Sequence, residues 1–182
     1  MQYELKGNKK QGKGPIIACC DNSGSMAGDR EIWSKAVILT LLEIAVMQKR
    51  KFVCIHFGGP LDELKVIEVA AGDKNILIKA VEIAEFFLNS GGTAFGPALK
   101  KATKVVASQA YQKADVVFIT DGQDPVAPKF LVEFLNSKKQ REFRVLSVLV
   151  QSRDNTILKE FSDEIVKVDE LLDAEAEGLM EI

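Results

Sequence analysis

The sequence predicts an α/β fold built on a single sheet. Short apolar runs alternate along the chain with longer segments of helical character, and two of those runs lead directly into an aspartate on a loop. Such alternation is typical of a doubly wound sheet that carries helices on both faces. We therefore expect a six-stranded, mostly parallel sheet with one antiparallel strand at its edge.

The strands are assigned from apolar runs bounded by turn residues. They are expected at residues 16–20, 52–57, 64–70, 115–120, 143–150 and 164–168. Most are continuous apolar runs, as in strands buried on both faces. The run at 64–70 alternates and follows the turn Gly58-Gly59-Pro60, so we assign it to the sheet edge.

Helix boundaries follow from capping signals. The first helix, 30–49, has its most buried stripe at Trp33, Val37, Leu41, Ile44 and Ala45. Three later helices are expected from 73 to about 88, from 97 to about 108 and from 124 to about 139, with a short one after 154. Their expected start signals are N-caps at Asp73, Asp124-Pro125 and Asp154, and a first-turn proline at Pro97. The glycines of Asn89-Ser90-Gly91-Gly92 are expected to end the second helix.

The length of 182 residues fits one domain with a core that needs no disulfide or structural zinc. We place the domain at residues 15–168. Residues 1–14 read as a flexible basic linker and residues 169–182 as an acidic tail with a short amphipathic helix.

Composition excludes several classes of function. The net charge of −2 argues against a nucleic-acid-binding surface, and the most apolar stretch, 36–47, is too short to span a bilayer. The three cysteines, Cys19, Cys20 and Cys54, lack metal-ligand or redox spacing, so we expect buried thiols in a reducing compartment. With a polar N-terminus, these features predict a cytoplasmic protein.

Oxygen-bearing side chains cluster on loops that follow the predicted strands. Asp21, Ser23 and Ser25 alternate on the turn after the first strand, Thr93 follows two glycines, and Asp121 ends the strand 115–120. In parallel sheets, ligands bind beyond the carboxyl ends of strands where the strand order reverses. Two carboxylates and three hydroxyls there suit a small hard cation such as Mg²⁺.

Three motifs in this order, D-x-S-G-S, G-G-T and I-T-D-G, resemble a von Willebrand factor A (VWA) domain over residues 15–168. The resemblance implies a Rossmann-like fold with a metal-ion-dependent adhesion site for Mg²⁺ or Mn²⁺. It implies Ser23 and Ser25 as direct ligands, Thr93 as a direct ligand in the ligand-bound form, and Asp21 and Asp121 as carboxylates acting mostly through water. One coordination position would be left for an Asp or Glu of a protein partner.

A narrower resemblance concerns the segments around these motifs. Gly14-Pro15 before the first strand, Ser23-Gly24-Ser25-Met26 and the later Gly91-Gly92-Thr93 resemble bacterial ViaA and CoxE-like proteins. Asn22 departs from that group, in which threonine is common. The resemblance implies a C-terminal VWA domain that works with a MoxR-type AAA+ ATPase.

Other interpretations of the same residues stand beside this one. The chain could be a metal-dependent hydrolase, for which His56 is the one obvious general base beyond the carboxylates, or a structural domain without metal. The Asp21–Ser25 segment could merely form a hydrogen-bonded turn. Asp124 could be a further ligand, although a helix cap is expected, and His56 is expected to be a satisfied, partly buried histidine.

Overall fold

The computed structural model describes residues 14–88, 91–108 and 113–170. It contains one sheet of six strands in the order β3-β2-β1-β4-β5-β6. The strands are β1 (Ile16–Asp21), β2 (Phe52–Phe57), β3 (Lys65–Val69), β4 (Asp115–Thr120), β5 (Arg144–Val150) and β6 (Glu164–Val168). The expected positions are confirmed to within a residue or two at either end.

The pairing confirms the predicted sheet type. Strands β1, β2, β4, β5 and β6 run parallel, whereas β3 pairs antiparallel with β2 at the edge. The four central strands read as apolar because all or most of their residues are buried, as expected when helices cover both faces. Both edge strands, β3 and β6, are partly exposed.

Four helices cover the two faces: α1 (Asp29–Met47), α2 (Ile76–Glu85), α3 (Phe95–Ala107) and α4 (Pro128–Arg141). Helices α1 and α2 pack on one face and α3 and α4 on the other, each pair with its own hydrophobic core. Adjacent residues of β1 point to opposite faces, so Cys20 lies in the first core and Cys19 in the second. All three cysteines are buried and free, and burial raises the pKa of each thiol.

Three predicted helix caps are wrong. Helix α2 begins at Ile76, and Asp73 instead accepts bonds from the Asn75 amide and Lys79. Asp154 bonds Thr156 in a turn ahead of the 3₁₀ helix Leu158–Glu160. In both cases the aspartate stabilises a turn that precedes the helix, a role that Asp fills as readily as an N-cap. The third, Asp124, caps a different helix and is described below with the segment that carries Thr93.

The predicted linker and tail fall largely outside the described residues, at 1–13 and 171–182, as does part of the predicted stop at Asn89-Ser90. Helix α2 itself ends at Glu85, before that stop. Of the helices within the described part of the chain, none combines the length and the apolar character needed to cross a membrane.

Candidate metal-binding site

The predicted oxygen cluster lies where the strand order reverses. Strands β1 and β4 are parallel neighbours at the centre of the sheet, although β2 and β3 come between them in the chain. Asp21 is the last residue of β1, and Asp121 follows the last residue of β4. Both carboxylates therefore reach the same edge of the sheet.

The turn after β1 is held by its own polar groups. The Asn22 amide donates to the Phe57 carbonyl at the end of β2 (2.8 Å), which extends the sheet by one bond. The next amide, that of Ser23, donates to Asp21 Oδ1 at 2.8 Å. This i to i+2 bond folds the chain back into the turn that carries both serines.

A 3₁₀ helix, Gly24–Met26, links this turn to α1. The Met26 side chain is completely buried and anchors the loop on the first core. Gly28 has a φ of +89°, in the region that favours glycine, and α1 begins at the next residue. Residues 22–28, called the motif loop below, are thus fixed at both ends, by β1 and by α1.

Hydrogen bonds connect the motif loop to the loop after β4. Ser25 Oγ donates to Asp121 Oδ1 at 2.9 Å, across 96 residues of sequence. Because this bond uses the single Ser25 hydroxyl proton, Ser23 Oγ is the donor in the 3.1 Å contact between the two serines. On the buried side, Thr120 Oγ1 donates to Asp21 Oδ2 at 2.5 Å.

Thr93 joins the cluster by packing. A methyl group placed on Gly122 would lie 3.6 Å from the hydroxyl oxygens of both Thr93 and Thr120. The Gly122 amide itself donates to Thr120 Oγ1 at 3.0 Å. All five predicted residues, Asp21, Ser23, Ser25, Thr93 and Asp121, are therefore brought together at one end of the sheet.

The electrostatics of the cluster favour a cation. Asp21 is fully buried, and this burial raises its pKa against the opposing effect of its bonds from Thr120 and Ser23. The negative charge of Asp121 raises the pKa further. A positive charge between the two carboxylates would relieve both penalties.

Arg30, on the first turn of α1, already supplies one positive charge. Its Nη1 forms an ion pair with Asp121 Oδ2 and donates to the Ser25 carbonyl at 3.1 Å. Its Nε donates to Gln151 Oε1 at 2.9 Å, just beyond β5. The Asp121 side chain is only 5% exposed, whereas that of Arg30 is 33% exposed and lies at the rim.

His56 is buried beside the cluster and takes no part in it. Its Nδ1 contacts Asn22 Oδ1 at 2.8 Å and its Nε2 contacts Cys54 Sγ at 3.4 Å. Burial, with help from the charges of Lys35 and Lys65, lowers its pKa to about 4. The expectation of a satisfied histidine is confirmed, although it is fully rather than partly buried.

Asp124 was predicted to cap the helix that follows it, and this prediction is wrong because Asp124 caps a different helix. Helix α4 begins only at Pro128, and Asp124 Oδ2 instead accepts the backbone amide of Phe95 at 2.9 Å. Phe95 is the first residue of α3 and follows the Thr93 loop by two positions. Asp124 therefore caps α3 from a distant loop and fixes the segment that carries Thr93.

Sequence reasoning missed Thr120, Arg30 and Gln151. Thr120 lies within the quoted I-T-D-G motif, and its place before Asp121 on a buried strand could have identified it. Arg30 and Gln151 carry no local signal, because only the packing of α1 beside the end of β5 brings them together.

The donor set suits a hard divalent cation held largely by hydroxyls. In residues 14–88, 91–108 and 113–170, no group of three or more His, Cys, Asp or Glu side chains converges. A metal at this edge of the sheet would thus rely on two carboxylates and neutral hydroxyls. Oxygen donors of this kind, with water completing the shell, are what Mg²⁺ and Mn²⁺ prefer.

Sequence comparison finds three informative matches. The sequence profile of the von Willebrand factor type A domain matches residues 16–123. An uncharacterised protein of Methanocaldococcus jannaschii is 38% identical over 176 residues, which are 96% of this chain and 39% of that protein. The regulatory protein ViaA of Edwardsiella ictaluri is 29% identical over 114 residues, 63% of this chain and 22% of that protein. This chain therefore spans well under half the length of these relatives.

Solved structures of low identity share the fold. A von Willebrand factor type A protein from Catenulispora acidiphila superposes with a TM-score of 0.71 at 18% identity, over 93% of this chain and 42% of that one. Proximal thread matrix protein 1 of the mussel byssus, with a zinc-occupied MIDAS motif, superposes with a TM-score of 0.71 at 18% identity. The superposition covers 94% of this chain and 47% of that one. The profile match covers more than half of the chain, and the solved structures share its fold. The chain therefore belongs to the von Willebrand factor type A domain family.

Proposed function

We propose that this domain is a divalent-metal-dependent protein-interaction module and not an enzyme. Asp21, Ser23, Ser25, Thr93 and Asp121 would hold Mg²⁺ or Mn²⁺, and a partner protein would contribute an Asp or Glu carboxylate. The observation that carries the proposal is the hydrogen-bonded run Ser23–Ser25–Asp121, which joins two distant loops at the switch point of the sheet.

The donor types explain why such a site would bind and not hydrolyse. Neutral hydroxyls leave a cation less neutralised than directly bound carboxylates would, so a bound cation would attract an incoming carboxylate. Asp21 and Asp121 balance its charge from either side, and their own bonds to Thr120, Ser25 and Arg30 keep them oriented.

The position of His56 weighs against the hydrolase alternative. A general base must reach the proton that it abstracts, and it works best when its pKa lies near the working pH. His56 is completely buried, both ring nitrogens are engaged by Asn22 and Cys54, and its pKa is lowered to about 4. We therefore include the absence of hydrolysis in the proposal.

The proposed partner is a MoxR-type AAA+ ATPase with an exposed acidic residue. Support comes from the similarity to ViaA, which is named as a regulatory protein. Loops around the oxygen cluster, at residues 27–30, 58–63 and 122–126, would add specificity by shape and hydrogen bonding.

The test is the response of thermal stability to metal. A ligand that binds only the native state at 100 times its dissociation constant adds about 2.7 kcal/mol to the free energy of unfolding. We expect the melting temperature to be several degrees higher in millimolar Mn²⁺ or Mg²⁺ than in EDTA, and Asp121→Ala to lose this increase.

Asp169→Asn is the matched control, because it removes an exposed carboxylate just beyond β6 and should retain the response. A wild-type melting temperature that is identical in EDTA and in metal, with and without a carboxylate compound, would count against the proposed site.

A further inference from the structure

The guanidinium of Arg30 is held over the oxygen cluster by three chain segments. It contacts the Ser25 carbonyl on the motif loop, the Asp121 carboxylate after β4 and the Gln151 amide oxygen after β5. Gln151 adopts a φ of +47°, which is unfavourable for a residue other than glycine. Because the three contacts of Arg30 come from separate chain segments, they fix the position of its guanidinium.

One side of this guanidinium remains available. Nε and Nη1 make the three contacts, whereas Nη2 donates to none of the described residues. The side chain is 33% exposed, and the Asp121 carboxylate beneath it is almost fully buried. Arg30 thus binds Asp121 through Nη1 and keeps Nη2 as a donor for an incoming anion.

The charge of Arg30 changes the net charge of the site when a metal binds. Asp21 and Asp121 contribute two negative charges, and Arg30 cancels one of them. A divalent cation bound there would leave a net charge of +1, which one further carboxylate would neutralise. Like charges within a few ångströms in a partly buried site repel strongly, and an anion between them is attracted by both.

We propose that Arg30 makes metal binding at this site depend on a carboxylate from the partner. This rests on the metal-dependent binding function proposed above. Arg30 weakens the binding of metal alone by competing for Asp121 Oδ2 and by repelling the cation. Once a carboxylate arrives, its second oxygen accepts a bond from Nη2, so that Arg30 favours the complex of metal and acidic ligand. Arg30 is therefore a specificity-determining residue for acidic partners.

The experiment is a titration with Mn²⁺, followed by the electron paramagnetic resonance signal of free Mn²⁺. We compare wild type with Arg30→Gln, which removes the charge, and Arg30→Lys, which keeps it. Arg30→Gln should bind Mn²⁺ alone about tenfold more tightly than wild type, the effect expected for removing one nearby like charge. Arg30→Lys should remain as weak as wild type.

Arg141→Gln is the matched control for a change in overall charge. Arg141 ends α4, and its carbonyl accepts the Lys113 amide just before β4, so it lies at the opposite end of the sheet. This variant should bind Mn²⁺ like wild type.

The second arm adds a probe for the partner's side chain. The titrations are repeated with N-acetyl-glutamate methylamide and with its glutamine analogue. The glutamate compound should tighten Mn²⁺ binding to wild type several-fold and to Arg30→Gln by less, and the glutamine analogue should change neither. Mn²⁺ binding to Arg30→Gln that is no tighter than to wild type overturns the role of Arg30 while leaving the metal site intact. Absence of Mn²⁺ binding in every variant, with or without the glutamate compound, overturns both proposals.

Discussion

Asn22 connects the oxygen cluster to the second strand. Its backbone amide bonds the end of β2, and its side-chain oxygen contacts His56. Asn22 is 4% exposed, and its Nδ2 is buried without a partner in the described part of the chain. A buried donor without a partner costs about 1–3 kcal/mol of stability. The bond from His56 to the side-chain oxygen is the contact that holds the Asn22 side chain in the described part of the chain.

Burial of the His56 ring favours its neutral form, which gives a prediction about pH. The folded-state pKa is about 4, below the value of about 6.5 expected in the unfolded chain. Between these values the unfolded chain binds more protons, so stability falls as the pH is lowered from about 6.5 to about 4. Between pH 7 and pH 5, wild type should lose about 2 kcal/mol more than His56→Gln in urea unfolding.

Carboxylates titrate in both proteins, so the difference between the two pH profiles isolates His56. The lower stability that His56→Gln has at pH 7 does not enter this difference. Parallel profiles would show that His56 is not held neutral by its surroundings.

At the scale of elements, helix α3 depends on a residue outside itself. Its N-cap position is Ala94, which has no side-chain acceptor, and Asp124 from the loop after β4 supplies one. The Ala94 amide also bonds the Gly58 carbonyl at 2.7 Å, on the loop after β2. The segment that carries Thr93 is thus held from two sides by neighbouring strand-end loops.

Removing this cap should destabilise the domain without abolishing its response to metal. Asp124→Ala should cost about 1 kcal/mol of unfolding free energy, the usual effect of losing a helix cap, and Asp124→Asn less, since its amide oxygen still accepts a bond. Urea unfolding measures both. The rise in melting temperature with Mn²⁺ should persist in Asp124→Ala, because Asp124 bonds Phe95 and not the cluster. Loss of that rise with unchanged stability would instead make Asp124 a ligand.

At the scale of the whole molecule, the two ends of the sheet carry different charge arrangements. At the amino end, Asp115 is buried between Arg50 and Arg144 and bonds both, so its charge is satisfied internally. At the carboxyl end, Arg30 pairs with Asp121, whereas Asp21 is held by hydrogen bonds from Ser23 and Thr120 and has no ion pair with any described residue. The carboxyl end is the end at which an external cation and an external carboxylate improve the charge balance.

Partner binding should therefore require metal and Thr93. With a MoxR-type AAA+ ATPase, the proposed partner, we expect capture by the immobilised domain in Mg²⁺ and none in EDTA. Thr93→Ala should abolish capture while the circular dichroism spectrum stays unchanged. Thr103→Ala is the control, because the Thr103 hydroxyl bonds the Leu99 carbonyl within α3, away from the cluster. Equal capture in EDTA would show that the domain binds through another surface.

Residue patterns predicted most of the fold and the five oxygen-bearing residues that lie together at one end of the sheet, for identifiable reasons. Buried parallel strands must be apolar throughout, so β1, β2 and β4 were visible as runs, and β3 was visible as an edge because only its outer face is open. Asp21, Ser23 and Ser25 were found together because their spacing is local. Thr93 and Asp121 were found because each follows a glycine loop or a strand end.

The amino-acid sequence by itself determined the α/β class and the position of each strand, since these depend on local burial and local turns, and it predicted the five oxygen-bearing residues that the structure brings together. Only the tertiary structure decided which groups those donors contact. The β1–β4 pairing brings Ser25 to Asp121, the meeting of α1 and β5 brings Arg30 to Gln151, and the loop after β4 brings Asp124 to α3. Each of these contacts joins residues far apart in the chain, so no local pattern encodes it.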